Sequence, residues 1–226
     1  LGIAADVTDP KATAGVVEEA VKRFGGLDVV VANAGIAPPG LPMLNTDRED
    51  WERVLDVNLL GVWRTVRPAL PQIAERGGQV VLLGSIYSYA NGFMASPYAV
   101  SKAAIEALGR ALRAELSPLG ASATVVYFGW VDTKMVQGSL DEKESGRRMK
   151  DSVPAFVMKR ITPGAAAATL VRAVEQRSPR AFAPGWWRYY AALRGLLNPL
   201  LDRRMESEPN VRAAILAEGT EGSGPG

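Results

Sequence analysis

The sequence predicts an α/β domain built on parallel strands, for three reasons. Residues 27–32 form an apolar run broken only by Asp28, the pattern of a parallel strand buried on both faces. Residues 80–83, and later the β-branched Thr124, Val125 and Val126, read as further strands. Between these runs lie stretches with apolar residues at helical spacing, such as Leu108, Leu112 and Leu116. A chain of 226 residues suits one such domain and can bury a sizeable core.

Composition narrows the chemistry. With 47% hydrophobic and 22% charged residues the chain is ordinary globular protein, not a disordered one. A net charge of +2 gives no support for a nucleic-acid partner. The chain has no cysteine, which excludes a disulfide framework, thiolate metal sites and a cysteine nucleophile. It has no histidine either, which removes Ser-His-Asp hydrolysis, His-ligated zinc and histidine acid/base catalysis. Tyrosine and lysine are left as the proton carriers.

Taken in order, Thr8-Asp9-Pro10 starts a helix, with Asp9 as cap and Pro10 at its first position. Val17, Val21 and Phe24 mark its buried stripe, and Gly25-Gly26 ends it. The strand at 27–32 runs into Asn33-Ala34-Gly35, which by itself reads as a turn. A loop follows with Pro38, Pro39, Gly40 and Pro42. Thr46 and Glu49 then form a capping-box pattern. It opens a helix carrying Trp51, Val54, Leu55 and Asn58, with Pro68 and Pro71 near its end. Asparagine disfavours a helix interior slightly, so Asn58 needs another reason to be there.

Gly77-Gly78 turns the chain into a strand over 79–84 that delivers Ser85. The loop beyond holds Tyr87, Tyr89, Gly92 and Phe93, and Pro97 marks the next helix start. A strand over 122–128 leads into Gly129-Trp130-Val131-Asp132-Thr133. Residues 134–158 are charged and mixed, and suit a mobile lid or a solvated helix equally well. Thr162-Pro163-Gly164 starts an alanine-rich helix through Val174, and 181–183 is a short last strand.

Residues 184–218 read as a C-terminal helical extension of this single domain (1–226), and 219–226 as a flexible tail. Two arginines and Pro199 argue against a membrane span in 184–201. Tryptophans and tyrosines at headgroup level would instead make a peripheral membrane contact through 186–201. A lid, or a surface packed on a second subunit, fits as well.

The chemistry centres on Tyr98 and Lys102, four apart on one helix face, with the phenol and the ammonium one above the other. A free tyrosine has a pKa of roughly 10. A cation one turn away pulls it down toward the working pH. Ser85, thirteen residues upstream of Tyr98, ends its strand with the hydroxyl aimed into the same space. The three together can hold a carbonyl oxygen and pass it a proton. Singly, each is commonplace: a Tyr-x-x-x-Lys is more often a surface pair, and a serine after a strand is usually a cap.

With Asn33-Ala34-Gly35 and the Asn58 of Asp56-Val57-Asn58-Leu59-Leu60-Gly61, this set resembles the short-chain dehydrogenase/reductase family over residues 1–182. The resemblance implies a doubly wound, Rossmann-like three-layer fold with a parallel sheet and a ligand crevice at the strands' carboxyl ends. It implies catalytic roles for Asn58, Ser85, Tyr98 and Lys102. Tyr98 is the acid/base and Ser85 holds the carbonyl oxygen. Lys102 lowers the Tyr98 pKa and binds the nicotinamide ribose, and Asn58 holds a water linking Lys102 to solvent. The implied cofactor is NAD or NADP, bound by Asp6, Val7, Asn33, Ala34, Gly35, Val131 and Thr133 together with Tyr98 and Lys102, with no metal. The implied reaction is hydride transfer with a secondary alcohol or ketone. Tyr87, Tyr89, Phe93 and Trp130 lean that substrate toward a bulky hydrophobic one. A cytoplasmic homodimer or homotetramer, paired through the helices bearing Asn58 and Tyr98, completes the expectation.

Three features depart from the family. Phe128 stands where a proline is usual. Leu1-Gly2-Ile3-Ala4 reads as the tail of a strand, and no G-x-x-x-G-x-G occurs. The expectation is therefore that the first two strands and the glycine-rich turn are missing, which exposes an apolar sheet edge and hides the choice between NAD and NADP. The alternative is a non-catalytic dinucleotide-binding or interaction protein that keeps the fold.

Overall fold

The computed structural model describes residues 1–221 apart from 39, 143–145, 147–149 and 151–152. Four parallel strands lie in the order β1 (Val29–Ala32), β2 (Gln79–Ser85), β3 (Ser122–Phe128) and β4 (Arg180–Ala183). Helices α1 (Pro10–Phe24), α2 (Arg48–Leu55), α3 (Gly61–Glu75) and α4 (Ser96–Leu116) occupy the first half of the chain. They are followed by α5 (Lys134–Leu140), α6 (Pro163–Glu175), α7 (Trp187–Ser207) and α8 (Pro209–Glu221).

The register explains the layers. Val30, Val80 and Ala123 stand side by side, as do Ala32, Leu82 and Val125. Their face is covered by Val62, Val66 and Ile73 of α3 and by Ile105, Leu112 and Leu116 of α4. Side chains alternate across a strand, so Val81, Leu83 and Val126 point the other way, where Leu170 and Val174 of α6 meet them. Helices on both faces of a parallel sheet make the predicted doubly wound, three-layer α/β architecture.

Several local expectations hold. Asp9 caps α1 through its side chain, which accepts from the Lys11 N–H at 2.8 Å, and Gly25 ends it at φ 79°. Others are corrected. Phe24 is 66% exposed, and Thr13 is the buried residue of α1. Asp47, not Thr46, precedes α2, and its side chain makes no cap; the Thr46 hydroxyl donates to the Pro42 carbonyl instead. Pro68 and Pro71 lie inside α3, which continues to Glu75. β1 is not buried on both faces. Val29 and Val31 are 36% and 40% exposed, because α6 covers β2 to β4 and nothing described covers that side of β1.

In the C-terminal part, α7 and α8 are helical, and α8 takes in 219–221, which the sequence reading gives to the tail; the rest of that tail lies outside the described residues. No described helix is long and apolar enough to cross a membrane. The expectation of aromatic headgroup anchors fails for the two tryptophans. Trp187 is buried, and Trp186 stacks on it at 3.9 Å. The exposed large apolar residues of α7 are Tyr189, Leu193, Leu196, Leu200 and Leu201.

Candidate active site

The carboxyl ends of β1, β2 and β3 release the three segments that build the site. Ser85 closes β2 in extended backbone and caps a short 3-10 turn, Ile86–Ser88, accepting from the Tyr87 N–H at 3.2 Å. That turn is fastened to α4 by Ser88, whose hydroxyl donates to the Lys102 carbonyl at 2.8 Å. Sequence reasoning passed over Ser88, although its place three residues after Ser85 is the capping-box spacing. Pro97 sits in the first turn of α4 as expected, and the helix presents Tyr98 and Lys102 one turn apart.

The structure brings Ser85, Tyr98, Lys102, Gly35 and Asn58 together. Ser85 and Tyr98 line the same crevice, with the Ser85 side chain near enough to the phenol to favour its ionised form. The Lys102 ammonium lies 5.5 Å from the centre of the Tyr98 ring. A Cβ added at Gly35 would come 3.3 Å from Asn58 Oδ1 and 3.9 Å from Lys102 Nζ, so a side chain there would intrude on both. Asn58 is fully buried in a π-helical turn, Asp56–Leu60, which joins α2 to α3. Its amide clamps the Ile36 peptide: Oδ1 accepts from the Ile36 N–H at 2.8 Å, and Nδ2 donates to the Ile36 carbonyl at 2.9 Å. The helix-disfavouring asparagine is thus explained first by the loop it holds beside β1.

The electrostatics correct the sequence expectation. Burial pushes the Tyr98 pKa up, and the Ser85 side chain only partly opposes it. Lys102 does not lower it through contact; its ammonium donates to the Leu83 carbonyl at 2.8 Å. Burial lowers the lysine itself, from 10.5 to about 8. Tyr87, packed edge-on against both Tyr98 and Trp130, is also raised by burial.

The remaining predicted residues are more scattered. Asn33 and Ala34 are exposed in the loop after β1. Val131 bridges to Ile161. The Thr133 hydroxyl faces the Val136 N–H as the cap of α5. The Asp6 carboxylate accepts from the Thr8 N–H at 2.9 Å and from the Thr8 hydroxyl at 2.8 Å, which together hold it below the usual carboxylate range. Val7 packs where a Cβ on Gly61 would meet it at 2.8 Å.

A crevice of about 120 Å³ opens over Ser85 and Tyr98. Phe93, Met94, Trp130 and Met135 line it. Met94 sits at φ 58°, a backbone position few side chains adopt. The helix α5 of the mixed segment 134–158 supplies Met135, Val136, Ser139 and Leu140 to this wall, which favours the lid reading over a solvated helix. Lys143 and Glu144 of its charged run lie outside the described residues.

Residues 1–177 match the family described as enoyl-(acyl carrier protein) reductase, a short-chain dehydrogenase/reductase grouping. The chain belongs to the short-chain dehydrogenase/reductase family. It is similar to (–)-trans-carveol dehydrogenase of Rhodococcus erythropolis, 38% identical over 139 residues that make 60% of this chain and 50% of the relative. A short-chain type dehydrogenase/reductase from Mycobacterium marinum superimposes with a TM-score of 0.63 at 29% identity, covering 71% of this chain and 63% of that one. Gluconate 5-dehydrogenase of Burkholderia cenocepacia, solved with NADP and tartrate, gives 0.58 at 25%, covering 62% and 55%. The chain spans about half the length of the carveol dehydrogenase it matches.

Proposed function

We propose that this short-chain dehydrogenase/reductase is an NAD(P)-dependent oxidoreductase that interconverts a secondary alcohol and its ketone. The observation that supports this best is the convergence of Ser85 and Tyr98 on one crevice lined largely by apolar side chains, with a buried lysine one helical turn from Tyr98.

The nicotinamide end of the cofactor fits the residues present. The Lys102 ammonium makes one hydrogen bond among the described residues, and an ammonium has three donors, so two remain for ribose hydroxyls. Gly35 keeps the floor beside it open. Asn33, Ala34, Val131 and Thr133 stand in the loops that would border the ring. Nothing in this sequence matches the glycine-rich pyrophosphate turn, and no residue is assigned to it. When bound, the dinucleotide supplies or accepts the hydride at its nicotinamide ring.

The chain's own residues do the rest. In reduction, the Ser85 hydroxyl donates to the carbonyl oxygen and polarises it. Tyr98 then gives its phenolic proton to the same oxygen as the C–O double bond becomes a C–OH single bond. Its raised pKa suits it to hold that proton until the oxygen needs it. The charged Lys102 steadies the phenolate left behind. Met135, Leu140 and Trp130 exclude water from the reacting carbon. A peripheral membrane contact remains a proposal, with the leucines of α7 as the exposed apolar face.

The test is to mix the protein with NADH or NADPH, then add ketones and follow the nicotinamide absorbance. A ketone-dependent loss is expected, and Tyr98→Phe should reduce its rate by about a hundred- to ten-thousand-fold. Binding of either nucleotide with no ketone-dependent loss would select the alternative, a dinucleotide-binding protein without turnover.

A further inference from the structure

A second cavity lies beside the crevice, and the two share a wall. Ile86, Tyr87, Phe93 and Trp130 line both, and the second cavity measures about 350 Å³, roughly three times the volume of the first. Its far walls come from the described part of the segment before α6 and from α7 and α8. Phe156, Val157 and Met158 lie on one side, and Trp186, Trp187 and Tyr190 on the other. Polar groups of its lining (Asp202, Arg204 and Glu208) belong to the last turn of α7 and the joint to α8.

The walls are held in place by bonds that keep polar atoms engaged with one another. Tyr190 donates to Asn198 Oδ1 at 2.7 Å, and Asn198 Nδ2 donates to the Tyr89 carbonyl at 2.8 Å. Asn91 Nδ2 donates to Asp202 at 2.9 Å. The Trp186 ring stacks on Trp187 and meets Phe156 edge-on. A preformed apolar cavity of this size is what a hydrocarbon group fills favourably.

Resting on the oxidoreductase reading above, we propose that this second chamber takes one large hydrocarbon arm of the substrate. The small crevice then holds the reacting carbon and a short arm such as a methyl group. The substrate class is an unsymmetrical secondary alcohol, or its ketone, bearing one extended apolar substituent. The Tyr87–Trp130 pair lines both cavities and is the border the long arm crosses to reach the chamber, and the difference in volume sets which arm goes where. The wider chamber rejects nothing small, so discrimination comes from the tight crevice on the other side of the carbonyl.

Two ketones with the same carbon count test this: methyl heptyl ketone and dibutyl ketone. The expected result is a kcat/KM at least about tenfold higher for the methyl ketone, because three further methylenes enter the chamber and no butyl arm is forced into the crevice. Val157→Phe narrows the chamber without touching Ser85, Tyr98 or Lys102. It should erase the preference while leaving the rate on butanone unchanged. Equal rates on the two ketones, or a preference that survives Val157→Phe, would overturn the chamber but not the oxidoreductase reading. Should no ketone be reduced, that reading fails, and binding decides the chamber. Trp130, Trp186 and Trp187 report methyl heptyl carbinol by fluorescence. A response in the wild type that Val157→Phe abolishes upholds the chamber, and no response in either removes it.

Discussion

The Lys102 ammonium is buried and donates to the Leu83 carbonyl, and burial draws its pKa from 10.5 to about 8. Tyr98 moves the opposite way and keeps its proton over the same range. As pH rises through about 8, Lys102 loses its charge first, and the phenolate formed during reduction loses its nearest cation. The kcat/KM for ketone reduction should therefore fall above about pH 8. Stability runs in the other direction. Between about 8 and 10.5 the unfolded chain binds the lysine's proton and the folded one does not, so this group adds stability as pH rises through that window. Lys102→Arg separates the causes, since a guanidinium stays charged throughout. The variant should be slower, because its fork does not fit the ammonium's place, yet its alkaline limb should disappear. A limb still near 8 in Lys102→Arg would assign the titration to another group.

At the scale of elements, α7 is the strap that holds the site's outer wall. Arg194 reaches Glu106 on α4 with two bonds of 2.8 Å, and Glu106 lies four residues beyond Lys102 on the same helix. The Glu106 side chain is 7% exposed and that of Arg194 34%, so the pair is only partly screened. Arg194→Met leaves a buried carboxylate without its cation and should cost about 2 kcal/mol in urea unfolding, below the full buried-pair value because water reaches the arginine. Arg194→Met/Glu106→Leu should recover most of that loss. A double variant no better than the single would place the energy in the packing of the arginine's stem. This contact also marks the limit of what the sequence reveals. Tyr98, Lys102 and Ser85 were legible because local periods place them: a helical turn for two, and a strand end for the third. The Arg194–Glu106 pair spans 88 residues, and no local pattern announces it. Nor could spacing show that Asn58 clamps Ile36, or that Trp186 and Trp187 face inward, because those depend on which neighbour folds back against them. The Tyr98 pKa was misjudged for the same reason: spacing supplies a nearby charge but not the desolvation that outweighs it.

For the whole molecule, the expectation of a dimer puts the contact with a second copy on the segments bearing Asn58 and Tyr98. Leu60, Trp63 and Val100 are 45%, 52% and 48% exposed, and they lie on the segments bearing Asn58 and Tyr98. A two-fold axis there would set the same apolar patch against itself, the self-complementary arrangement of a symmetric dimer. It would also brace the helices bearing Asn58 and Tyr98 from outside. β1 offers a rival, because among the described residues one of its edges is unpaired, and Val29 and Val31 are partly exposed. Sedimentation velocity separates the two. The wild type should sediment as a dimer or larger, and Trp63→Arg should shift it toward the monomer by burying a charge in the patch. Val29→Lys/Val31→Lys should leave that assembly intact and reduce only non-specific aggregation, since lysines on a sheet edge block strand addition. If the edge variant dissolves the assembly and Trp63→Arg does not, association runs through the sheet, and the patch around Trp63 has no part in it.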